Sequence, residues 1–134
     1  MAALIDIEGV GKVHAENLRN HGIETQEDLL AAAATPTGRA ALAAKANLTM
    51  NQVLNWANRA DLARINGIGS EYADLLEAAG VDTVPELAQR NATNLSAALA
   101  EVNEAKILVR QLPTSVDVAR WVEEAKTLPR VLFY

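Results

Sequence analysis

One stretch of this sequence occurs twice, and that repetition limits the folds open to the chain. Residues 7–15, IEGVGKVHA, return as residues 65–73, INGIGSEYA, at a displacement of 58 positions. Farther along, Trp56 and Trp121 stand in matching surroundings at a displacement of 65, so the second copy carries seven extra residues. Repetition over such a length is typical of a duplicated structural unit.

The repeat divides the chain into two predicted units, residues 1–60 and residues 61–134. We place the insertion near residues 106–112, where it would lengthen the middle helix of the second unit or add a turn. An apolar tail, residues 130–134, ends the second unit, and burial tendencies favour its folding back onto the helices over exposure to a partner. The two units are expected to share one core.

Composition favours helices over sheets. Half of the residues are apolar but only 4% are aromatic, and abundant alanine favours close-packed helices. The chain has no cysteine, which excludes disulfides, thiolate metal sites and a cysteine nucleophile. No apolar run reaches the roughly 18 residues that a membrane span requires, so a soluble cytoplasmic protein is expected. The predicted fold class is all-α, with two pseudo-symmetric repeats packed as one compact domain.

Helix starts are marked by threonines that an acid or a glutamine follows three residues later. This spacing fits a capping box, in which each side chain binds a free backbone N–H at the helix start. The four pairs are Thr25 with Asp28, Thr49 with Gln52, Thr83 with Glu86, and Thr114 with Asp117. Thr35 before Pro36 predicts a further start, and Gly22 and Gly80 stand where helices should end.

Both tryptophans are predicted to anchor the core. Apolar residues recur at helical spacing around Trp56 and again around Trp121, as they do on the buried face of a helix. We therefore expect structural tryptophans rather than groups that stack on nucleic-acid bases.

Each copy opens with a Gly-x-Gly turn directly before a helix. The turn glycines are Gly9 and Gly11 in the first copy, and Gly67 and Gly69 in the second. So short a link requires positive φ or close backbone approach, which glycine permits. The middle residues, Val10 and Ile68, are expected to face the core. The following helix begins with unpaired N–H groups directed outward, which suits a phosphate or another anion.

The order apolar, x, Gly, apolar, Gly, three variable residues and Ala resembles the motif of the helix-hairpin-helix superfamily. Residues 7–15 and residues 65–73 both fit it. The whole chain resembles an uncharacterised bacterial family of tandem helix-hairpin-helix repeats, similar in fold to the N-terminal domain of DNA polymerase beta. The resemblance implies that hairpin amides and a basic residue after the second glycine hold DNA phosphates without reading bases.

Residue by residue, the resemblance assigns nucleic-acid binding in the first hairpin to the amides of Gly9, Gly11 and Val13 and to the side chain of Lys12. It also implies a monovalent cation on hairpin carbonyls. Those carbonyls would belong to Ile5, Ile7 and Val10. No other cofactor is expected.

The second hairpin would use Gly67 and Gly69, but it departs from the superfamily pattern. Ser70 and Glu71 occupy the positions that should be basic or neutral, and a carboxylate at Glu71 would repel a phosphate. The neighbouring acids Asp74 and Glu77 strengthen that repulsion.

Charge is spread unequally along the chain, whose net charge is −5. Residues 1–60 hold six acids and five bases, and residues 61–134 hold eleven acids and seven bases. A polyanion should therefore approach the first unit. There, Lys12, Arg19 and, at low pH, the two histidines supply positive charge, while Glu8 and Glu16 oppose it. If about two phosphates are neutralised, the logarithm of the affinity falls with the logarithm of the salt concentration at a slope of roughly −1.8.

The predicted function is a non-catalytic binding module that contacts nucleic-acid backbone weakly, and without sequence preference, through the first hairpin. The alternative is a protein-interaction or scaffolding module without DNA binding, in which the acidic second unit and the tail contact a protein or a second copy. An enzyme is not expected, because His14 and His21 are seven residues apart, too far for zinc chelation on a helix. Arg39 is expected to be solvated at a helix start.

Overall fold

The computed structural model describes residues 3–7 and 9–134, which confirm the all-α fold class. A 3-10 helix spans Leu4–Asp6, and Ala3 makes an isolated antiparallel bridge with Thr25. The α-helices of the described residues are α1 (Gly11–Asn20), α2 (Gln26–Ala32), α3 (Pro36–Ala46), α4 (Met50–Leu62), α5 (Ser70–Ala78), α6 (Val84–Ala88), α7 (Ala92–Lys106) and α8 (Ser115–Thr127). None of the helices in this part of the chain is long and apolar enough to cross a membrane.

The contacts divide the chain into two compact units. The first comprises residues 1–61 and 130–134, and the second comprises residues 62–129. Each unit has a cluster of buried apolar side chains. The tail differs from its predicted assignment, because it packs with the first unit although it follows the second along the chain.

Three of the four predicted capping boxes are present. In each, the threonine hydroxyl accepts the N–H of the third helical residue, whose side chain accepts the threonine N–H. The boxes are Thr25–Asp28, Thr49–Gln52 and Thr114–Asp117. The predicted cap at Thr35 is also confirmed, since its hydroxyl accepts the N–H of Gly38 at 3.0 Å.

The predicted box at Thr83 is wrong. Its hydroxyl donates to Glu86 Oε1 at 3.1 Å, and it accepts no backbone N–H at the start of α6. Thr83 is buried, so its hydroxyl hydrogen needs an acceptor inside the protein. A carboxylate three residues away is a stronger acceptor than a neutral group, and the hydroxyl turns toward it.

The capping boxes make stability depend on pH. A hydrogen bond from the backbone N–H of Glu24 lowers the pKa of Asp28 below its usual 3.8, and one from the N–H of Thr114 lowers the pKa of Asp117. Because both pKa values are depressed on folding, this stabilisation is present above about pH 4 and is lost as the pH falls through the folded-state pKa values.

We therefore expect the double substitution Asp28→Asn, Asp117→Asn to lower the melting temperature at pH 7, with the difference from the wild type disappearing as the pH falls through the depressed folded-state pKa values. Circular dichroism melts between pH 7 and pH 2 measure this. Glu101→Gln, on the exposed face of α7, is the control and should not alter the pH profile. A constant difference between variant and wild type at every pH would contradict the assignment.

The predicted glycine stops are confirmed. Gly22 and Gly80 follow α1 and α5 with φ of 85° and 92°. The next residues, Ile23 and Val81, each donate an N–H to a carbonyl in the last turn of the preceding helix at 2.9 Å, which is the bond of a Schellman motif.

The insertion lies mainly in the link between α7 and α8. Helices α3 and α7 end at left-handed residues, Asn47 and Ile107, which are 60 positions apart in the sequence. The following helices, α4 and α8, begin 65 positions apart. Five extra residues are therefore in the link, and two precede the end of α7. Asn103 holds the link in place, since its side-chain amide binds the N–H and the carbonyl of Val109 at 2.9 and 3.2 Å.

The tail folds back onto the first unit, as the sequence favoured. Leu132 is buried in the first cluster, and Phe133 N–H donates to Ala34 O at 2.7 Å. The expectation for Arg39 was wrong, because this residue is only 4% exposed. Its guanidinium donates to Ala33 O at 2.9 Å and to Phe133 O at 2.8 Å. Two backbone carbonyls thus serve as its partners.

Candidate functional site

A backbone hydrogen bond closes the first Gly-x-Gly turn, of which the structure describes residues 7 and 9–11. Val10 N–H donates to Ile7 O at 3.2 Å, and Gly9 has φ of 87° at the third position of the turn. That positive φ is typical of a type II turn, where a side chain would be strained. Val10 is buried, as predicted, so it holds the turn against the core of the first unit.

The helix α1 begins at Gly11 directly after this turn, and its N-cap residue, Val10, makes no side-chain cap bond. The first N–H groups of a helix have no partner within the helix. Gly9, Lys12 and Val13 are all exposed beside them. Backbone donors and one lysine therefore face solvent together at this end of α1.

An aromatic pair lies behind the first turn. Trp56 is buried, which confirms its predicted core role, and its Nε1 lies 3.8 Å from the point that a Cβ on Gly9 would occupy. The His14 ring packs against the Trp56 indole with centroids 5.0 Å apart. Trp56 therefore supports the glycine backbone from inside and the imidazole from one face.

The two predicted phosphate-binding side chains, Lys12 and Arg19, line the same groove, of about 270 Å³. Glu16 and Glu24 line it as well, so two acids offset the two bases. Glu8, which the sequence also places among these charges, lies outside the described residues. The structure therefore brings the predicted bases together in surroundings that are nearly neutral.

The histidines have separate environments on α1. His21 donates from Nδ1 to Asn17 O at 2.9 Å, a bond within the last turn of the helix, whereas His14 packs on a tryptophan. No group of three His, Asp or Glu side chains that could hold a metal ion occurs in residues 3–7 and 9–134.

The carbonyls that the resemblance assigned to a monovalent cation differ in their bonding. Ile7 O already accepts the Val10 N–H, which leaves one of its two lone pairs for another ligand. The cation stays a prediction.

The second Gly-x-Gly turn, residues 65–69, has the same closing bond. Ile68 N–H donates to Ile65 O at 3.2 Å, Gly67 has φ of 93°, and Ile68 is buried as predicted. Gly69 differs from its counterpart Gly11, which has φ of 67°. Gly69 is extended, with φ of −102°, and precedes α5 as its N-cap.

Trp121 lies behind the second turn and is 1% exposed, which confirms that it is a core residue. Its Nε1 lies 3.3 Å from the Cβ position of Gly67 and has no hydrogen-bond partner among the described residues. The Tyr72 ring packs on the indole with centroids 5.3 Å apart, and Tyr72 Oη donates to Gln111 O at 3.0 Å. This bond fastens the inserted link to α5.

Two charged residues of α8 lie at the second turn, and the sequence analysis assigned neither to it. The carboxylate of Glu124 accepts the Asn66 N–H at 3.3 and 3.4 Å. Arg120 Nη2 lies 3.8 Å from the Cβ position of Gly67 and 3.1 Å from Asp117 Oδ1. The repeat could have indicated these residues. Each tryptophan lies behind a turn, so the residues next to that tryptophan on its helix must lie near the same turn.

Acidic side chains also surround the start of α5. Glu71 is exposed in its first turn, as expected, so it lies where it would repel an anion at the N-terminus of the helix. The two turns therefore share the closing bond and the positive φ of their first glycine, but they differ at the second glycine and in the charges around them.

Comparison with known proteins yields one match. No curated protein and no solved structure matches the sequence significantly. Residues 8–128 match the family described as Domain of unknown function (DUF4332). Because that match spans most of its length, the chain belongs to this family.

Proposed function

We propose that this chain is a non-catalytic binding module whose first turn, with α1, holds the phosphate backbone of a nucleic acid. In this proposal, residues 7–15 and 65–73 are helix-hairpin-helix motifs in tandem, as in the N-terminal domain of DNA polymerase beta. The amides of Gly9, Gly11 and Val13 bind phosphate oxygens, and Lys12 and Arg19 supply positive charge. The protein is cytoplasmic, and a monovalent cation on the first-turn carbonyls is part of the same proposal.

The uncapped start of α1 is the observation that carries this proposal. Its N-cap residue, Val10, makes no side-chain cap bond, and Gly11, Lys12 and Val13 of its first turn are exposed. The partial positive charge of a helix N-terminus favours an anion there. At the second turn, by contrast, the Asn66 N–H is bound to the Glu124 carboxylate. The proposal therefore assigns the external phosphate to the first turn.

The charge balance limits the strength of this contact. Glu16 and Glu24 line the groove with Lys12 and Arg19, so the site neutralises about two phosphates at most and the salt slope stays near −1.8. Binding this weak is useful when a partner supplies a second contact, because tethering raises the effective concentration.

Lys12→Glu is the direct test. Reversing this charge exchanges an attraction of about 1 kcal/mol for a similar repulsion, so the affinity should fall about 30-fold. Ser70→Glu changes the matching position after the second turn and should alter the affinity less than about twofold, because that turn is already acidic. Fluorescence anisotropy with labelled duplex and single-stranded DNA at two salt concentrations measures both. Equal losses from the two variants would contradict an asymmetric site.

A protein-interaction module is the second candidate. The observation in its favour is the exposure of Ile107 and Val116, whose side chains are 79% and 71% exposed at the two ends of the inserted link. Ile107 also adopts φ of 51°, which is unusual for a β-branched residue. If no DNA binding occurs even at low salt, and Ile107→Asp abolishes a complex with a protein or a second copy, this candidate replaces the first.

A further inference from the structure

The residue that ends α7 has a backbone conformation that is unfavourable for its side chain. Ile107 follows the last residue of the helix with φ of 51° and ψ of 56°. This left-handed region brings Cβ close to a backbone carbonyl, and a β-branched residue is an outlier there. In the first unit, α3 ends in the same conformation at Asn47, a residue type that tolerates it. The helix end therefore requires a left-handed residue, but it does not require an isoleucine.

The side chain of Ile107 gains no burial that would offset this strain. It is 79% exposed, so it adds little apolar contact to the second unit. The Ile107 N–H donates to Asn103 O at 2.8 Å, a bond that any residue other than proline can make. Residues held in sparsely populated conformations cluster at sites of binding or catalysis. The isoleucine is therefore better explained by a contact with another molecule than by the fold of its own unit.

Charges of both signs lie beside Ile107. The side-chain amide of Asn103 binds the N–H and the carbonyl of Val109, so the next residues, Glu104 and Arg110, lie at the same end of α7. Both side chains are exposed. Neither has an ion-pair or hydrogen-bond partner in the part of the chain that the structure describes. One acid and one base are thus available at the same surface.

Most bases of the second unit, by contrast, bind an acceptor of that unit. Those that donate to a backbone carbonyl or to a carboxylate are Arg64, Arg90, Arg120 and Lys126. Lys106 and Arg110, on either side of Ile107, have no such bond within residues 3–7 and 9–134. Their charges are therefore available to a carboxylate of another molecule.

We infer that the α7-end patch, formed by Glu104, Lys106, Ile107 and Arg110, binds the same patch on a second copy of this chain. A two-fold interface requires a surface that is complementary to itself. A basic partner would be repelled by Arg110 and an acidic one by Glu104, whereas a second copy pairs each charge with its opposite. Ile107 then packs on its own copy, and two symmetric ion pairs join Arg110 to Glu104 of the partner subunit.

This dimer does not depend on DNA, so it goes beyond the proposed function. The patch is small, and the interface is therefore weak and transient. If the first turn also binds phosphate, a dimer brings two first turns to one nucleic acid. It then supplies the second contact that such weak binding requires, since tethering raises the effective concentration.

Sedimentation equilibrium of the full chain, without DNA, tests the inference. The weight-average mass of the wild type is expected to rise from the monomer toward the dimer between about 10 µM and about 1 mM protein. Ile107→Asn should raise the dissociation constant about tenfold by removing the apolar contact. The same variant should raise the melting temperature of the monomer by about 4 °C, because it relieves the left-handed strain.

These opposite effects separate a contact between copies from a role in folding. A wild type that stays monomeric throughout, an unchanged dissociation constant or a lower melting temperature in Ile107→Asn would each overturn the inference. Val13→Asn is the matched control, because Val13 is also 79% exposed but lies in α1. It should leave the dissociation constant within about twofold of the wild type, and a loss equal to that of Ile107→Asn would count against the patch.

A charge exchange tests the ion pairs. Arg110→Glu should raise the dissociation constant about tenfold or more, because it brings like charges together twice. The double variant Arg110→Glu, Glu104→Arg restores both pairs and should return to within about threefold of the wild type. Lys126→Glu makes the same change in net charge on α8 and should have little effect. A double variant as weak as Arg110→Glu, or an equal loss in Lys126→Glu, would overturn the inferred pairing.

Discussion

Replacing Trp121 with alanine is expected to destabilise the second unit by about 3–5 kcal/mol, the usual cost of removing a buried tryptophan. Trp121 is 1% exposed and is packed between the Gly67 turn and the Tyr72 ring. Its removal leaves both without support, so the second turn should lose its shape along with its stability. Urea unfolding followed by circular dichroism measures the change in free energy.

Trp121→Phe separates packing from hydrogen bonding. It keeps an aromatic ring but removes the indole N–H, which has no acceptor among the described residues. Removing an unpaired buried donor costs little or is favourable, so this variant should lose less than about half of the stability that alanine loses. A loss as large as that of Trp121→Ala would show that the N–H makes an important bond, and would contradict the geometry described above.

The elements that the sequence predicted best are those specified by short-range interactions. A capping box joins residues three apart, so Thr25, Thr49 and Thr114 could be identified without knowledge of the fold. Thr83 has the same spacing but is buried, and its hydroxyl binds a carboxylate instead. Burial depends on the packing of the whole unit, which local spacing does not report.

Long-range contacts explain the residues that sequence reasoning misplaced. Arg39 is separated from Phe133 by 94 positions, and Asn66 from Glu124 by 58. Neither pair belongs to a local motif. Arginine is usually a surface residue. The burial of Arg39 becomes tolerable only when the returning tail provides the Phe133 carbonyl as an acceptor.

The candidate site was partly predictable. The glycines and the inward-facing Val10 and Ile68 were assigned from the motif because the turn itself requires them, whereas Lys12 was assigned from the superfamily resemblance. The acid Glu24 enters the groove from the link before α2, and Glu124 reaches the second turn from α8. These acids change the charge around each turn, and both come from outside the motif. Motif residues therefore predict the shape of such a site better than its charge.

Deleting residues 130–134 is expected to lower the free energy of unfolding of the first unit by about 3–5 kcal/mol. Burial of Leu132 contributes about 1.5–3 kcal/mol, and the bond from Arg39 to Phe133 O contributes about 1.5–3 kcal/mol because the donor is charged. Deletion also removes Tyr134, whose hydroxyl donates to Asn58 Oδ1 at 2.6 Å and whose ring lies 5.2 Å from the Arg39 guanidinium. The truncated chain would leave that guanidinium with Ala33 O and water.

Arg39→Met tests the contact between Arg39 and the Phe133 carbonyl by removing the donor instead of the tail. The variant keeps the aliphatic stem but leaves the Phe133 carbonyl without its donor, so about half of the loss is expected. Arg130→Ala is the control, because Arg130 is exposed and should change stability by less than about 0.5 kcal/mol. Thermal melts of the three variants decide between two roles for the tail. If the deletion leaves the melting temperature unchanged but abolishes a complex with a protein, the tail is a docking segment. A joint loss in the deletion and in Arg39→Met shows that it is part of the first core.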